Sequence, residues 1–313
     1  MVGDSHRETN VLAQPARPSV GQMGTNDSGA ALLEAAEHGN AGLVKQLLLQ
    51  GANVDAEDSK GWTPLIFAAR SGNEGIVHSL IAHGADVNHR TFTETGSTAL
   101  CFAIAGSNLT VIQDFLDHGA AVDGKGRNGM TPLIYAAAHG QAKQAKFLIS
   151  RGAKVDLFGL VDSRGSTWNA LMTAADSEGL EMLELLLKEG ANLEAKNNSG
   201  DTALMEIAKR SHPVSVKFLI NNGANVNARG PLGHTALIYA AYNGMVENIR
   251  LLLAAGADPF ATATDADDPR GQWKYGAEVV AQQQGHLDAL AIIRDAQARL
   301  RPSAVGQPQS ESK

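Results

Sequence analysis

Apolar residues recur along this chain at i, i+3 and i+4: Val44/Leu47/Leu48, Val77/Leu80/Ile81, Ile112/Phe115/Leu116, Leu183/Leu186/Leu187, Val216/Leu219/Ile220 and Ile249/Leu252/Leu253. That spacing lays one apolar stripe on each of six short helices, so each helix has a single face to bury. A Gly-Ala dipeptide follows every stripe, and the full set is Gly51-Ala52, Gly84-Ala85, Gly119-Ala120, Gly152-Ala153, Gly190-Ala191, Gly223-Ala224 and Gly256-Ala257. The spacings are 33, 35, 33, 38, 33 and 33 residues. A period of this length means one supersecondary unit stacked many times, each burying a face it could not bury alone. Function is therefore expected on a shared surface rather than in one pocket.

A second mark stands twenty-one residues before each Gly-Ala: Thr63-Pro64-Leu65, Thr98-Ala99-Leu100, Thr131-Pro132-Leu133, Asn169-Ala170-Leu171, Thr202-Ala203-Leu204 and Thr235-Ala236-Leu237, with a degenerate Ala30-Ala31-Leu32. The Thr or Asn oxygen suits a helix cap, and Pro64 and Pro132 then fall at the first helical position, where a missing N–H costs nothing. Paired small residues such as Ala68-Ala69 and Ala240-Ala241 let neighbouring helices approach closely. Gly39, Gly72, Gly140 and Gly244, nine residues after the mark, fit a left-handed turn that ends this first helix. His212 and His286 share the start of the second helix with Asn40, Asn73 and Asn108, and a local capping role is expected of them. Between the Gly-Ala and the next start mark the chain is polar and too short for a helix, which predicts a projecting hairpin finger.

With these marks the chain resembles the ankyrin-repeat proteins, whose unit is a turn plus two antiparallel helices. The resemblance implies an all-α solenoid of seven repeats from about Ala30 to Asp258, and a degenerate eighth at Gly276 to Ile293, where Gly285-His286-Leu287-Asp288 matches the family's second-helix start. One departure is uniform: the slot that holds His in the family's signature carries Ile66, Cys101, Ile134, Met172, Met205 and Ile238, so apolar packing replaces a polar link there.

Composition narrows the reading. Residues 29–301 are assigned to one repeat domain, while 1–28 and 302–313, rich in Pro, Ser, Gly, Gln and Asn and without apolar periodicity, are expected to be disordered. No apolar run suits a signal peptide or a membrane span, and a soluble, cytoplasmic protein, monomeric when free, is expected. A net charge of −7 without clustered Lys and Arg argues against a nucleic-acid partner. The single cysteine, Cys101, cannot form an internal disulfide and is expected to be a small core residue.

Three motifs invite a chemical reading. Gly124-Lys125-Gly126-Arg127-Asn128-Gly129 spells G-x-G-x-x-G and overlaps part of a phosphate loop, but it follows a helix rather than a strand and carries Gly126 where Ser or Thr is needed. Asp265-Ala266-Asp267-Asp268 lacks calcium-loop spacing, since Arg270 and Gly276 stand where Gly and Glu are required. The ten histidines mostly occupy slots that other repeats fill with unrelated polar residues. No metal, cofactor or catalytic residue is assigned, and ATP, NAD and EDTA are expected to leave the melting temperature unchanged.

The resemblance implies that finger tips and first helices line a concave face on which protein partners dock. Trp62 and Trp168 immediately precede start marks, and Trp273 lies three residues before the degenerate one. With Phe92 and Phe158 in the two longer fingers, Met130, and Arg70, His139, Lys209, Arg210 and Tyr242 near first-helix ends, they make the candidate partner-binding set. Tryptophan, tyrosine and arginine dominate interface energetics, although an aromatic in this position can also simply cover the core edge. The expected function is a non-catalytic scaffold or adaptor. The alternative is an inhibitor or immunity-type protein that covers a partner enzyme; an enzyme is the third reading. A complex that abolishes an enzyme's activity would select the inhibitor, and turnover without a partner the enzyme.

Overall fold

A computed structural model describes residues 25–92, 97–264 and 274–300. Within them sixteen α-helices form eight antiparallel pairs: α1 (Thr25–Glu37) with α2 (Ala41–Leu49), α3 (Pro64–Arg70) with α4 (Glu74–Ala82), α5 (Ala99–Ala105) with α6 (Leu109–Asp117), and α7 (Pro132–Ala138) with α8 (Ala142–Ser150). The series continues with α9 (Ala170–Asp176) and α10 (Leu180–Lys188), α11 (Ala203–Ala208) and α12 (Pro213–Asn221), α13 (Ala236–Tyr242) and α14 (Val246–Ala254), and α15 (Ala277–Gln283) and α16 (Leu287–Leu300). Each first helix packs on the next, from α1 through α15, making one row. The second helices line up behind them, α2 on α4, α4 on α6, α12 on α14 and α14 on α16.

The start marks behave as the sequence predicts. Side-chain oxygens of Thr63, Thr131, Asn169 and Thr235 accept from the backbone N–H three residues on, at 3.3, 3.2, 3.0 and 3.4 Å. The apolar stripes are buried except for Leu116, Leu187, Ile220 and Leu253, which are half-buried against the core, and Ile66, Cys101, Ile134, Met172, Met205 and Ile238 are buried, so the uniform departure from the family's signature is an apolar one throughout. Burial pushes the Cys101 thiol up to about 11, despite hydrogen bonds with Thr98, which keeps it neutral and unreactive.

Two expectations about helix starts fail. His212 makes no capping bond to α12; its ring is drawn instead to carboxylates of the preceding repeat, 3.4 Å from Asp176 and 3.7 Å from Glu178. His286 directs Nε2 to the Tyr242 carbonyl at 3.1 Å, again reaching back one repeat. Asn40, Asn73 and Asn108 do cap locally, at 3.1, 3.2 and 2.9 Å, and Asn108 also donates back to the Gly72 carbonyl at 3.1 Å. At the other boundary, α1 starts at Thr25, inside the segment read as disordered.

The fingers are joined by a recurring device. The fourth residue after each Gly of the Gly-Ala marks accepts the backbone N–H of the second residue after the next one. Asp55 takes Asp86, Asn88 takes Ala121, Asp123 takes Lys154, Asp156 takes Asn192, Glu194 takes Asn225 and Asn227 takes Asp258, over 2.8–3.1 Å. Regular strand pairing is confined, among the described residues, to β1 (Leu160–Val161) with β2 (Thr167–Trp168) in the finger before the fifth repeat, and β3 (Thr262–Thr264) with β4 (Lys274–Gly276) before the eighth repeat. The Gly124–Gly129 segment is a finger turn closed by Gly126 N–H to the Met130 carbonyl at 2.9 Å, and its Lys125 ammonium donates to the Phe158 carbonyl at 2.8 Å.

α15 and α16 close the stack. Ala277, Val280, Ala281, Ala289, Leu290 and Ile293 are buried, while the outer side carries Arg294–Glu278 and Arg299–Asp295 ion pairs at 2.9 and 2.7 Å. Deleting residues 276–301 would expose the apolar sides of α13 and α14. The expected result is aggregation, or a lower and broader melting transition, checked by calorimetry and size-exclusion chromatography. A monomeric truncation of unchanged stability would overturn it.

Candidate docking surface

The first-helix row presents two residues per repeat at its edge with the fingers: the one before the start mark and the one four after it. In the second repeat these are Trp62 and Phe67, joined by Phe102 of the third, with ring centroids 5.0 and 4.7 Å from Trp62. Arg70, exposed at the end of α3, holds its guanidinium 5.3 Å from the Trp62 ring centroid. Trp62 is half-buried, and its indole N–H is shielded from solvent without an acceptor. In the fourth repeat His139 stacks on Tyr135 at 4.2 Å. Burial raises the Tyr135 phenol, with the positive charge of Arg70 pulling the other way.

Trp168 occupies the same register in the fifth repeat and is in a different situation. It is 3% exposed and belongs to the core, so as the free chain stands this ring is not offered to a partner. The cause lies in the next repeat. Arg210, eight residues after the Thr202 mark, places its guanidinium 4.6 Å from the Trp168 ring centroid, anchored by Asp176 at 3.1 Å. The corresponding residue beside Trp62 is Gly106, where a Cβ would run into the Ala69 and Arg70 carbonyls. One tryptophan is roofed by an arginine and the other is left open by a glycine.

Lys209 is not a free cation either. Its ammonium sits 2.8 Å from Asp201 and 3.2 Å from Glu206, each carboxylate 2% exposed, and 4.2 Å from the Tyr239 ring centroid. The Tyr239 hydroxyl donates to Asp201 at 3.0 Å, and Asn197 donates to Glu206 at 2.9 Å. Burial, with the Asp201 charge alongside, holds the Tyr239 phenol well above its ordinary value, so it remains a donor. His234 stacks flat on Tyr239 at 5.0 Å and reaches the Tyr275 hydroxyl at 2.9 Å. These contacts tie repeats six, seven and eight together.

The rest of the candidate set is scattered. Phe92 is 56% exposed in its finger, its backbone N–H bonded to the Lys60 carbonyl and its ring lying against Gly61. Met130 and Phe158 are half-buried against the core, and Tyr242 is 52% exposed at the end of α13. Trp273 and the Asp265–Asp268 run lie outside the described residues. The structure thus brings together Trp62 with Arg70 and Trp168 with Arg210, and adds Phe67, Phe102, Tyr135, Asp201, Glu206, His234 and Tyr239, which the sequence reading passed over. Aligning the repeats one column before and four columns after the start mark would have shown them, because those columns mix aromatic and charged residues.

Among the described residues no group of three or more His, Cys, Asp or Glu is arranged to hold a metal ion, and no helix is long and apolar enough to cross a membrane. Comparison with known proteins gives consistent results. The family described as Ankyrin repeats (3 copies) matches three times, at residues 16–91, 89–158 and 161–263. Ankyrin repeat and KH domain-containing protein 1 of Homo sapiens and Ankyrin repeat domain-containing protein 17 of Mus musculus are each 35% identical over 83 residues, 26% of this chain. The match spans 3% of the length of either relative. Among solved structures, the ankyrin repeat domain of Bcl-3, described as a member of the IkappaB protein family, superposes with a TM-score of 0.59 at 26% identity, over 71% of this chain and 97% of that one. The human ASB11 ankyrin repeat domain gives 0.59 at 24% identity, over 73% and 98%.

Proposed function

From the premise that the chain belongs to the ankyrin-repeat family, we propose that it is a non-catalytic interaction scaffold whose protein partner docks on the first-helix face, with Trp62 as the main anchor. Ankyrin repeats are generally protein–protein interaction modules, and folds of this kind typically carry no catalysis. The observation that carries the reading is the Trp62 cluster. It gathers three aromatic rings and an exposed guanidinium at one place on the first-helix face. Such a group offers apolar area, a π-face and directed polarity at once, the combination that concentrates binding energy in few residues.

Affinity purification with mass spectrometry identifies the partner, and calorimetric titration of Trp62→Ala then tests the anchor. Binding should weaken by about 2 kcal/mol or more, the usual hot-spot threshold. Because Trp62 is only half-buried and its neighbours Phe67 and Phe102 remain, stability should fall by about 1–2 kcal/mol, chiefly through lost ring contacts. A Trp62→Ala chain that is folded and binds with full affinity would move the docking surface elsewhere. Tyr242→Ala, at the far exposed end of the same row, reports how far the interface extends.

A further inference from the structure

We propose that the partner segment received at this end of the first-helix face is extended, apolar and acidic, with a carboxylate set against Arg70 and an apolar side chain laid over Trp62 and Phe102. The proposal rests on the docking face argued above and names the chemistry of what occupies it.

The charge pattern of the face supplies the first argument. From the residue before each start mark to the start of the second helix, repeats two, three and four read Trp62–Asn73, Ser97–Asn108 and Met130–Gln141, and none of the three stretches contains Asp or Glu. The neighbouring repeats do: Glu34 and Glu37 on one side, Asp176, Glu178, Asp201 and Glu206 on the other. In a chain of net charge −7 this leaves the first-helix stretches of three repeats without a carboxylate, with Asp58 of the second finger, whose Oδ1 accepts the Trp62 backbone N–H at 2.8 Å, beside them. An acidic segment is favoured along those stretches and repelled beyond them.

The second argument is the state of the polar groups. Arg210 and Lys209 are paired with internal carboxylates, at 3.1 Å to Asp176 and 2.8 Å to Asp201. Arg70 has no carboxylate within ion-pair distance among the described residues, and its guanidinium rests over the Trp62 ring. The N–H groups of this exposed guanidinium match the two oxygens of a carboxylate. The floor beside them is Trp62, Phe67 and Phe102, which takes apolar side chains.

Geometry sets the size. First helices packed at about 8–10 Å spacing place α3 and α7 roughly 16–20 Å apart, the reach of about five or six extended residues. His139, stacked on Tyr135, stands at the far end of that span.

The test uses the full chain, immobilised, and a phage-displayed library of random peptides of about twelve residues. Selection should enrich peptides in which Asp or Glu neighbours Phe, Leu or Trp. A synthetic copy of an enriched peptide with its acids changed to Asn and Gln should bind about tenfold or more weakly, and Arg70→Glu should cost the acidic peptide a similar factor. Selection on Arg70→Glu should instead enrich Lys and Arg. Because Arg70 is exposed, an unchanged circular-dichroism melt accompanies a valid result. Enriched peptides that lose binding in Trp62→Ala but show no preference for acids, or bind Arg70→Glu equally well, would overturn the acidic chemistry while leaving the docking face standing. Peptides indifferent to both substitutions, or no enrichment, would overturn both.

Discussion

Replacing Trp168 by Ala is expected to destabilise the chain by about 3–5 kcal/mol, the range for removing a large aromatic from a core. The ring is 3% exposed, lies on β2, and is covered by the Arg210 guanidinium. Its loss leaves a cavity between the fifth and sixth repeats and strips Arg210 of the surface on which it rests. Arg210 Nε is already buried without an acceptor, so the collapse of this stack has a polar as well as an apolar cost. Denaturant titration monitored by circular dichroism measures the effect, with Leu186→Ala, expected to cost about 2–5 kcal/mol, as the core control. A Trp168→Ala chain as stable as the parent, with reduced partner affinity, would restore this residue to the interface. The matched substitutions Trp62→Ala and Trp168→Ala therefore separate two tryptophans that hold identical places in the repeat.

Replacing Lys209 by Met should be about as damaging. The lysine ammonium is shared between Asp201 and Glu206, and both carboxylates are almost entirely withdrawn from water. Removing one partner of a buried pair typically costs about 3–5 kcal/mol, because the remaining charge is stranded. Changing all three groups together, Asp201→Asn, Glu206→Gln and Lys209→Met, should recover most of that loss, since no charge is then left uncompensated. The comparison is made by thermal and urea unfolding. If the single variant is as stable as the parent, the cluster holds the last three repeats together less than its geometry implies. If the triple variant is worse than the single one, the hydrogen bonds of Tyr239 and Asn197 contribute more than the ion pairs.

Several features of the architecture were legible because they depend on local rules repeated many times. A Thr or Asn oxygen three residues before a backbone N–H, a stripe at i, i+3 and i+4, and a Gly at the left-handed position each act within one repeat, and seven copies make the signal unambiguous. The degenerate eighth repeat was readable for the same reason, from Gly285 to Asp288. Where the reading failed, the deciding contact lay in another repeat. His212 and His286 occupy the sequence slot of the capping asparagines, yet their rings bridge backwards to Asp176, Glu178 and Tyr242. The finger-to-finger bonds from Asp55, Asn88, Asp123, Asp156, Glu194 and Asn227 also join residues about one period apart, which no local pattern announces.

The surface shows the same division. Sequence by itself determined the period, the helix pairs, the apolar occupant of the signature slot, and the placing of Trp62, Trp168 and the first-helix arginines at the level of the fingers. Which of those side chains is available to a partner was decided only by the tertiary structure, because exposure in a stacked repeat depends on the residue that the next repeat sets beside it. Gly106 allows α3 and α5 to close together and leaves Trp62 open, whereas Arg210, in the same slot three repeats on, roofs Trp168. Likewise Lys209 reads as a free cation in sequence and is spent on Asp201 and Glu206 in the fold, while Arg70 has no carboxylate within ion-pair distance among the described residues.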